Sequence, residues 1–369
     1  MGFFMRKVNL NYLEAGMVTA DAVKTKSGQI IMEKGITLDR QSILRLSFYN
    51  IQDIYVEGEP TCKEEQEGET APAKPTYTPA YSQKVKSSQQ FQTFQFDHSF
   101  VLNSIKNSFE GYVFQKQPLD VDNLLAQVKT LFDSCKTSLD LFDMLNNMRS
   151  YDDSTYAHSL NVSLICRRFG KWLKVDEQAL DTLTLCGLLH DIGKLLIPGE
   201  ILNKPGQYTD EEFELVKKHT RYGYELLKDL PGDPHIKIAA LLHHERCDGS
   251  GYPMGQSKDI DSYALIVAIA DVYDAMTAAR PHRPPLCPFQ VIDLFEKDGL
   301  QKYHPKFILV FLKHIAQTYQ NNRIMLNDGR SGTIVMLNQN HLSKPIVQFD
   351  DGQCIDLSTR NDLHIQSIL

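Results

Sequence analysis

Leu188-Leu189-His190-Asp191-Ile192-Gly193-Lys194 closes an apolar run whose spacing predicts a helix over 176–190. An adjacent His and Asp near a helix end can offer one nitrogen and one carboxylate to the same metal, or let the carboxylate bridge two. Gly193 lets the chain turn sharply at that point. A lone His-Asp pair is common by chance, so its meaning depends on the surrounding sequence.

The pattern is predominantly helical from about 96 to 321. Leu124, Val128, Leu131, Phe132, Phe142 and Leu145 recur at helix spacing over 121–148, and further helices are predicted over 158–173 and 262–279. Upstream, 28–32 and 51–56 read as strands and 38–49 as a helix. The stretch 58–92 is rich in Glu, Pro, Thr, Ser and Gln and lacks periodicity. Downstream, 332–337, 345–349 and 354–357 read as short strands, with Asp350-Asp351-Gly352 as a turn. The fold class is therefore mainly α. A helical core spans 93–321, a small α+β N-terminal domain 1–57, a flexible linker 58–92 and a short β-rich C-terminal extension 322–369.

Composition narrows the function. The 369 residues carry a formal net charge of −7, so no global field draws DNA, and an anionic ligand needs a local basic site. No apolar run reaches the length of a membrane span, and Met1 to Lys7 lacks the pattern of a secretion signal. The seven cysteines are scattered without a CxxC, which suits reduced thiols and a cytoplasmic setting. A metal here must be held by His, Asp and Glu.

Three further features can do so. His243-His244-Glu245-Arg246-Cys247-Asp248-Gly249-Ser250-Gly251-Tyr252-Pro253 pairs two imidazoles with a Gly-rich turn. Asp271 stands in an apolar helix, where a carboxylate is costly unless paired or bound to a metal. His158 and His219 each sit on a predicted helix. Each has a plain alternative: a hydrogen-bonded histidine, an exposed loop, or an ion pair between Asp271 and Arg280. Their joint occurrence on one helical region favours a metal site of the kind that takes Zn, Fe, Mn or Ni.

In this order, His158, His190-Asp191 and Asp271 resemble the HD superfamily of metal-dependent phosphohydrolases. HDIGK at 190–194, Leu195-Leu196-Ile197-Pro198, Ile201-Leu202-Asn203-Lys204-Pro205-Gly206, His219 with Gly223, and HHExxDGxGYP at 243–253 are similar to its HD-GYP subfamily over roughly 152–305. Leu13-Glu14-Ala15-Gly16-Met17-Val18 resembles a small domain found before such domains, and the tail from Gly332 resembles an extension seen in some members. The resemblance implies an HD-type helical core with one ion on His158, His190, Asp191 and Asp271. It implies a second on His219, His243 and His244, with Asp191 bridging both and iron or manganese as the foremost ions. It also implies that Lys194 faces the substrate phosphate and that Asp274, Arg280, Arg283 and Tyr252 contact or shape the substrate site.

The implied activity is hydrolysis of cyclic di-GMP or a related cyclic dinucleotide to the linear dinucleotide, with continuation to GMP as an alternative. A hydroxide shared by two ions would be the nucleophile, and Asp191 and Lys194 the catalytic side chains. A weak cyclic-dinucleotide receptor and a di-iron oxidative HD enzyme are the rival readings. A homodimer or a signalling-protein partner is compatible with the N-terminal segment. Two departures stand out. Ser154 occupies the position where some members carry a third-metal Glu, with Asp152 and Asp153 beside it, so two ions are expected. His282 stands where the family usually shows Tyr.

Overall fold

The computed structural model describes residues 5–9, 13, 16–24, 30–39, 42, 46, 51, 53–57, 85–148, 155–204, 206–278 and 285–369. The chain divides into two compact units, one within 1–77 and 205–207, the other within 78–204 and 208–369.

In the first unit, β1 (Met5–Asn9), β2 (Val23–Lys24), β3 (Ile30–Met32) and β4 (Asp53–Glu57) form two antiparallel pairs, β1 with β4 and β2 with β3. Strand alternation decides the core: Ile54 and Val56 of β4 are buried while Tyr55 is exposed. They join Val8, Leu13, Leu38 and Leu46 in one apolar cluster. Most of the helix expected over 38–49 and most of the linker expected over 58–92 lie outside the described residues.

The second unit opens with α1 (Gln89–Gln115), which starts inside the stretch assigned to the linker. Its polar opening hides a helical period, since Phe91, Phe94, Val101, Ile105 and Phe109 are buried at three- to seven-residue steps along one face. Ser88 caps it, its Oγ accepting from Phe91 N at 3.1 Å. The periodic run over 121–148 is two helices, α2 (Val121–Asp133) and α3 (Ser138–Met148). Thr137 and Asp140 break it by exchanging bonds: Thr137 Oγ1 accepts from Asp140 N at 3.0 Å, and Asp140 Oδ2 accepts from Thr137 N at 2.9 Å.

Helices α4 (Thr155–Leu173) and α5 (Glu177–Leu189) form a tight hairpin. Lys174 turns it in the left-handed region (φ 58°), and Asp176 Oδ1 accepts from Ala179 N at 2.8 Å to start α5. A 3-10 turn over Ile192–Leu196 follows, then α6 (Gly199–Leu202), α7 (Asp210–Lys217), α8 (His219–Leu227) and α9 (His235–Leu242). The remaining helices are α10 (Ser262–Thr277), α11 (Pro288–Leu294), α12 (Leu300–Lys302) and α13 (Pro305–Thr318).

Helix α10 is buried on nearly all sides, as a helix apolar all round must be. Its Tyr273 meets Phe142 edge-on at 5.6 Å; Phe142 stacks on Trp172 at 5.9 Å, and Phe169 lies 5.0 Å from Phe311. This packing fixes α3, α4, α10 and α13 against one another.

The tail is a five-stranded antiparallel sheet in the order β8-β7-β6-β5-β9. Its strands are β5 (Arg323–Leu326), β6 (Ser331–Met336), β7 (Ile346–Phe349), β8 (Cys354–Asp356) and β9 (Ile365–Ile368). It belongs to the same compact unit as the helices. Glu296 helps to tie it there, its carboxylate accepting from Leu342 N at 2.6 Å and Ser343 Oγ at 2.5 Å. Among the described residues no helix is long and apolar enough to cross a membrane.

Candidate metal centre

Each ligand candidate comes from a helix or a helix end. His158 projects from the first turn of α4, His190 and Asp191 follow the end of α5, His219 opens α8, His243 and His244 follow α9, and Asp271 and Asp274 lie on α10. The α4–α5 hairpin, α8, α9 and α10 thus converge on one buried point. Gly193 makes the close approach of α8 possible. A Cβ there would lie 2.0 Å from His219 O and 2.4 Å from Gly223 N. The sequence reading assigned Gly193 to a sharp turn, but it adopts no positive φ; its lack of a side chain is what matters.

Asp191 is fully buried at the centre, and its two oxygens face different histidines. Oδ2 lies 3.3 Å from His190 Nε2 and 3.5 Å from His158 Nε2. Oδ1 lies 3.4 Å from His219 Nε2 and 3.6 Å from His243 Nε2. Ligand atoms of Asp191, His219, His243 and His244 gather within 4.8 Å of one another, as do those of His158, His190 and Asp191. Asp271 completes the first side, with Oδ1 3.0 Å from His158 Nε2, and its Oδ2 is 4.0 Å from His244 Nδ1.

Main-chain carbonyls decide which ring nitrogens carry protons. His190 Nδ1 donates to Gly187 O at 2.8 Å, His219 Nδ1 to Val216 O at 2.6 Å, and His243 Nδ1 to Ala239 O at 3.0 Å. A carbonyl only accepts, so each of these rings keeps a bare Nε2 when neutral. His158 Nδ1 meets Asp274 Oδ2 at 2.8 Å, the carboxylate–histidine arrangement that orients metal-binding imidazoles. Asp274, expected as a substrate contact, is thus nearly fully buried and bonded to His158. That position suits a group that orients the His158 ring.

The donor set fits divalent cations. His219 Nε2 and His243 Nε2 stand 3.4 Å apart, both as lone pairs, and repel unless a cation lies near. His190 Nε2 and Asp191 Oδ1 are buried atoms with no hydrogen-bond partner, a costly arrangement that bound ions would satisfy. Burial holds the pKa of His219 down at about 3 and lowers those of His243 and His244, keeping these rings neutral. Burial opposes charge on Asp191, but the Lys194 ammonium beside Oδ2 overrides it and holds the carboxyl well below its usual range. Burial likewise disfavours a charged His158, yet Asp271 and Asp274 raise it to about 9. A cation seated there would replace that proton.

A cavity of about 600 Å³ adjoins the centre, with His158, His219 and His244 in its wall. Lys194 lines it and reaches Asp191 Oδ2 at 2.5 Å. Tyr252 also lines it, its ring stacked on His244 at 4.5 Å. Phe114, Tyr156 and Tyr208 add aromatic surface, and Phe114 stays 61% exposed. Sequence reasoning missed Phe114 and Tyr156 because they lie outside the metal motifs, where an isolated aromatic reads as core. Arg280 and Arg283, expected at the substrate, lie outside the described residues, as do His282 and the 152–154 segment.

A protein-family model described as HD domain matches residues 124–307. The chain belongs to the HD-domain family. The matched stretch contains every ligand candidate, whereas α1, with Phe114, precedes it. The chain is similar to a cyclic di-GMP phosphodiesterase of Thermotoga maritima, at 35% identity over 52% of this chain and 55% of that protein. A cyclic di-GMP phosphodiesterase of Pseudomonas aeruginosa is 33% identical, covering 55% of this chain and 50% of its own. A 3′,3′-cGAMP-specific phosphodiesterase of Vibrio cholerae is 31% identical, covering 63% and 51% respectively. The chain spans about half the length of each of these relatives.

Proposed function

We propose that this chain is a metal-dependent phosphodiesterase that opens cyclic di-GMP or a closely related cyclic dinucleotide. The observation that carries this reading is Asp191, one carboxylate directed at two separate histidine sets beside an open cleft. His158, His190 and Asp271 would hold one divalent ion and His219, His243 and His244 a second, with Asp191 shared and iron or manganese preferred. When bound, two such ions would supply Lewis-acid polarisation of a phosphoryl oxygen and lower the pKa of a shared water toward neutrality. The names of the relatives support the substrate class.

The chain's own side chains would then do the positioning. Lys194 would neutralise charge growing on the phosphoryl oxygens, with Arg280 and Arg283 as further cations for the second phosphate. Phe114, Tyr156 and Tyr208 offer faces on which a base can stack. A cleft of about 600 Å³ is within the range of small-molecule sites. Ser154, a poor ligand type four residues before His158 in the sequence, supports two ions and release of the linear dinucleotide as the main product. The scattered cysteines support a cytoplasmic setting.

The direct test supplies manganese- or iron-loaded protein with cyclic di-GMP, 3′,3′-cGAMP and bis(p-nitrophenyl) phosphate. Turnover of a cyclic dinucleotide to its linear form supports the reading. Tight binding without turnover would make the protein a receptor instead. Lys194→Ala is expected to keep both ions, by elemental analysis, and to lower kcat by roughly 10²-fold, the usual loss for one charge-stabilising donor. Unchanged kcat would remove Lys194 from the reaction. Phe114→Ala is expected to weaken dinucleotide binding by about 1–3 kcal/mol, a stacking contribution, with no change on the small diester. Equal KM in both proteins would show that no base rests on Phe114.

A further inference from the structure

Glu245 lies next to His244 but points away from the ligand set. Its carboxylate is 1% exposed and takes part in no ion pair among the described residues. Instead Oε1 accepts from Met254 N at 2.7 Å and Oε2 from Gln256 N at 2.8 Å. One side chain therefore gathers both ends of the 246–256 loop. Within that loop Gly251 lies flat on the chain it returns to, where a Cβ would be 2.5 Å from His244 O and 2.5 Å from Arg246 N. Tyr252 N donates to His244 O at 3.2 Å, and the Tyr252 ring stacks on the His244 imidazole at an interplanar angle of 26°.

His244 needs such support. The rings of His158, His190, His219 and His243 are each held from behind by a carbonyl or a carboxylate. The ring of His244 makes no hydrogen bond to a described residue; Asp271 Oδ2 lies 4.0 Å from its Nδ1. Apart from its fellow ligand candidates His219 and His243, the ring packed on it is that of Tyr252, stacked at 4.5 Å, and the closed loop places Tyr252.

We propose that Glu245 is a positioning residue that acts through the loop and Tyr252 to aim His244 at the second ion. This rests on the reading of His244 as a ligand given above. Glu245→Ala should retain the ion on the His158 side and bind the second about 10–100-fold more weakly, the usual loss when support behind a ligand is removed. Titration calorimetry of the apoprotein with manganese reads this directly. Activity at low manganese should fall by the same factor and recover at saturating manganese, with KM for the dinucleotide little changed. Glu245→Gln keeps one accepting oxygen and should recover part of the affinity. Tyr252→Ala should weaken the same ion, and adding Glu245→Ala to it should cost little more, because the two act in series.

A thermal melt separates this from a general loss of structure, which would weaken both ions together and overturn the proposal. Equal affinity for both ions in wild type and Glu245→Ala would also overturn it, as would fully additive losses in the double variant. Wild-type protein that binds two ions yet cleaves no cyclic dinucleotide would sink the proposed function and leave the role of Glu245 standing.

Discussion

Asp191→Ala is expected to lose both ions and to lower cyclic-dinucleotide turnover by roughly 10⁴-fold or more, as when one member of a concerted site is removed. The size of the effect follows from position. Asp191 Oδ2 serves the His158 and His190 side and Oδ1 the His219 and His243 side, so one truncation weakens two centres. Asp271 also reaches from His158 to His244, at 3.0 and 4.0 Å, but among the described carboxylates Asp191 is the one that faces two histidines with each oxygen. Removing a fully buried anion also takes away the negative charge that makes several imidazoles tolerable to a divalent cation. Elemental analysis after dialysis, run beside the hydrolysis rate, tests this. A variant that keeps full metal content and near-normal turnover would remove Asp191 from the site.

Gly193→Ala is expected to destabilise the second unit by at least about 3 kcal/mol, at the upper end of overpacking effects. The new methyl would overlap His219 O and Gly223 N, which are main-chain atoms that no rotamer change can move. Relief requires α8 to separate from the 3-10 turn after α5. That shift would carry His219 away from Asp191, so metal affinity should fall together with stability. Denaturant melts of the apoprotein provide the measurement. Wild-type stability with both ions retained would mean that the two segments part without cost.

Much of this was legible in the sequence. The helices over 158–173, 176–190 and 262–279 follow from strong apolar periodicity, and they appear as α4, α5 and α10 within a few residues. The His and Asp motifs named the side chains that the fold gathers. What escaped were relations between segments distant in the chain. The resemblance assigns Asp274 to the substrate site, and only the crossing of α10 over α4 shows it bonded to His158. Glu245 reads as an acidic residue in a glycine-rich loop, and its two amide partners lie nine and eleven residues later. The opening of α1 was hidden because glutamine and threonine dilute its period, whereas burial of Phe91 and Phe94 decides it.

The carbonyl contacts behind His190, His219 and His243 bear on how the protein acquires its ions. These rings are aimed by helix ends, which form when the chain folds. The entropy of arranging them is therefore spent before any ion arrives, and loading becomes a capture event rather than a folding event. One bound cation could then leave and another take its place with little rearrangement of the scaffold. Such a cradle would select weakly between ions of similar size and charge, so its occupant would follow the supply of the surroundings as much as the chemistry of the ligands.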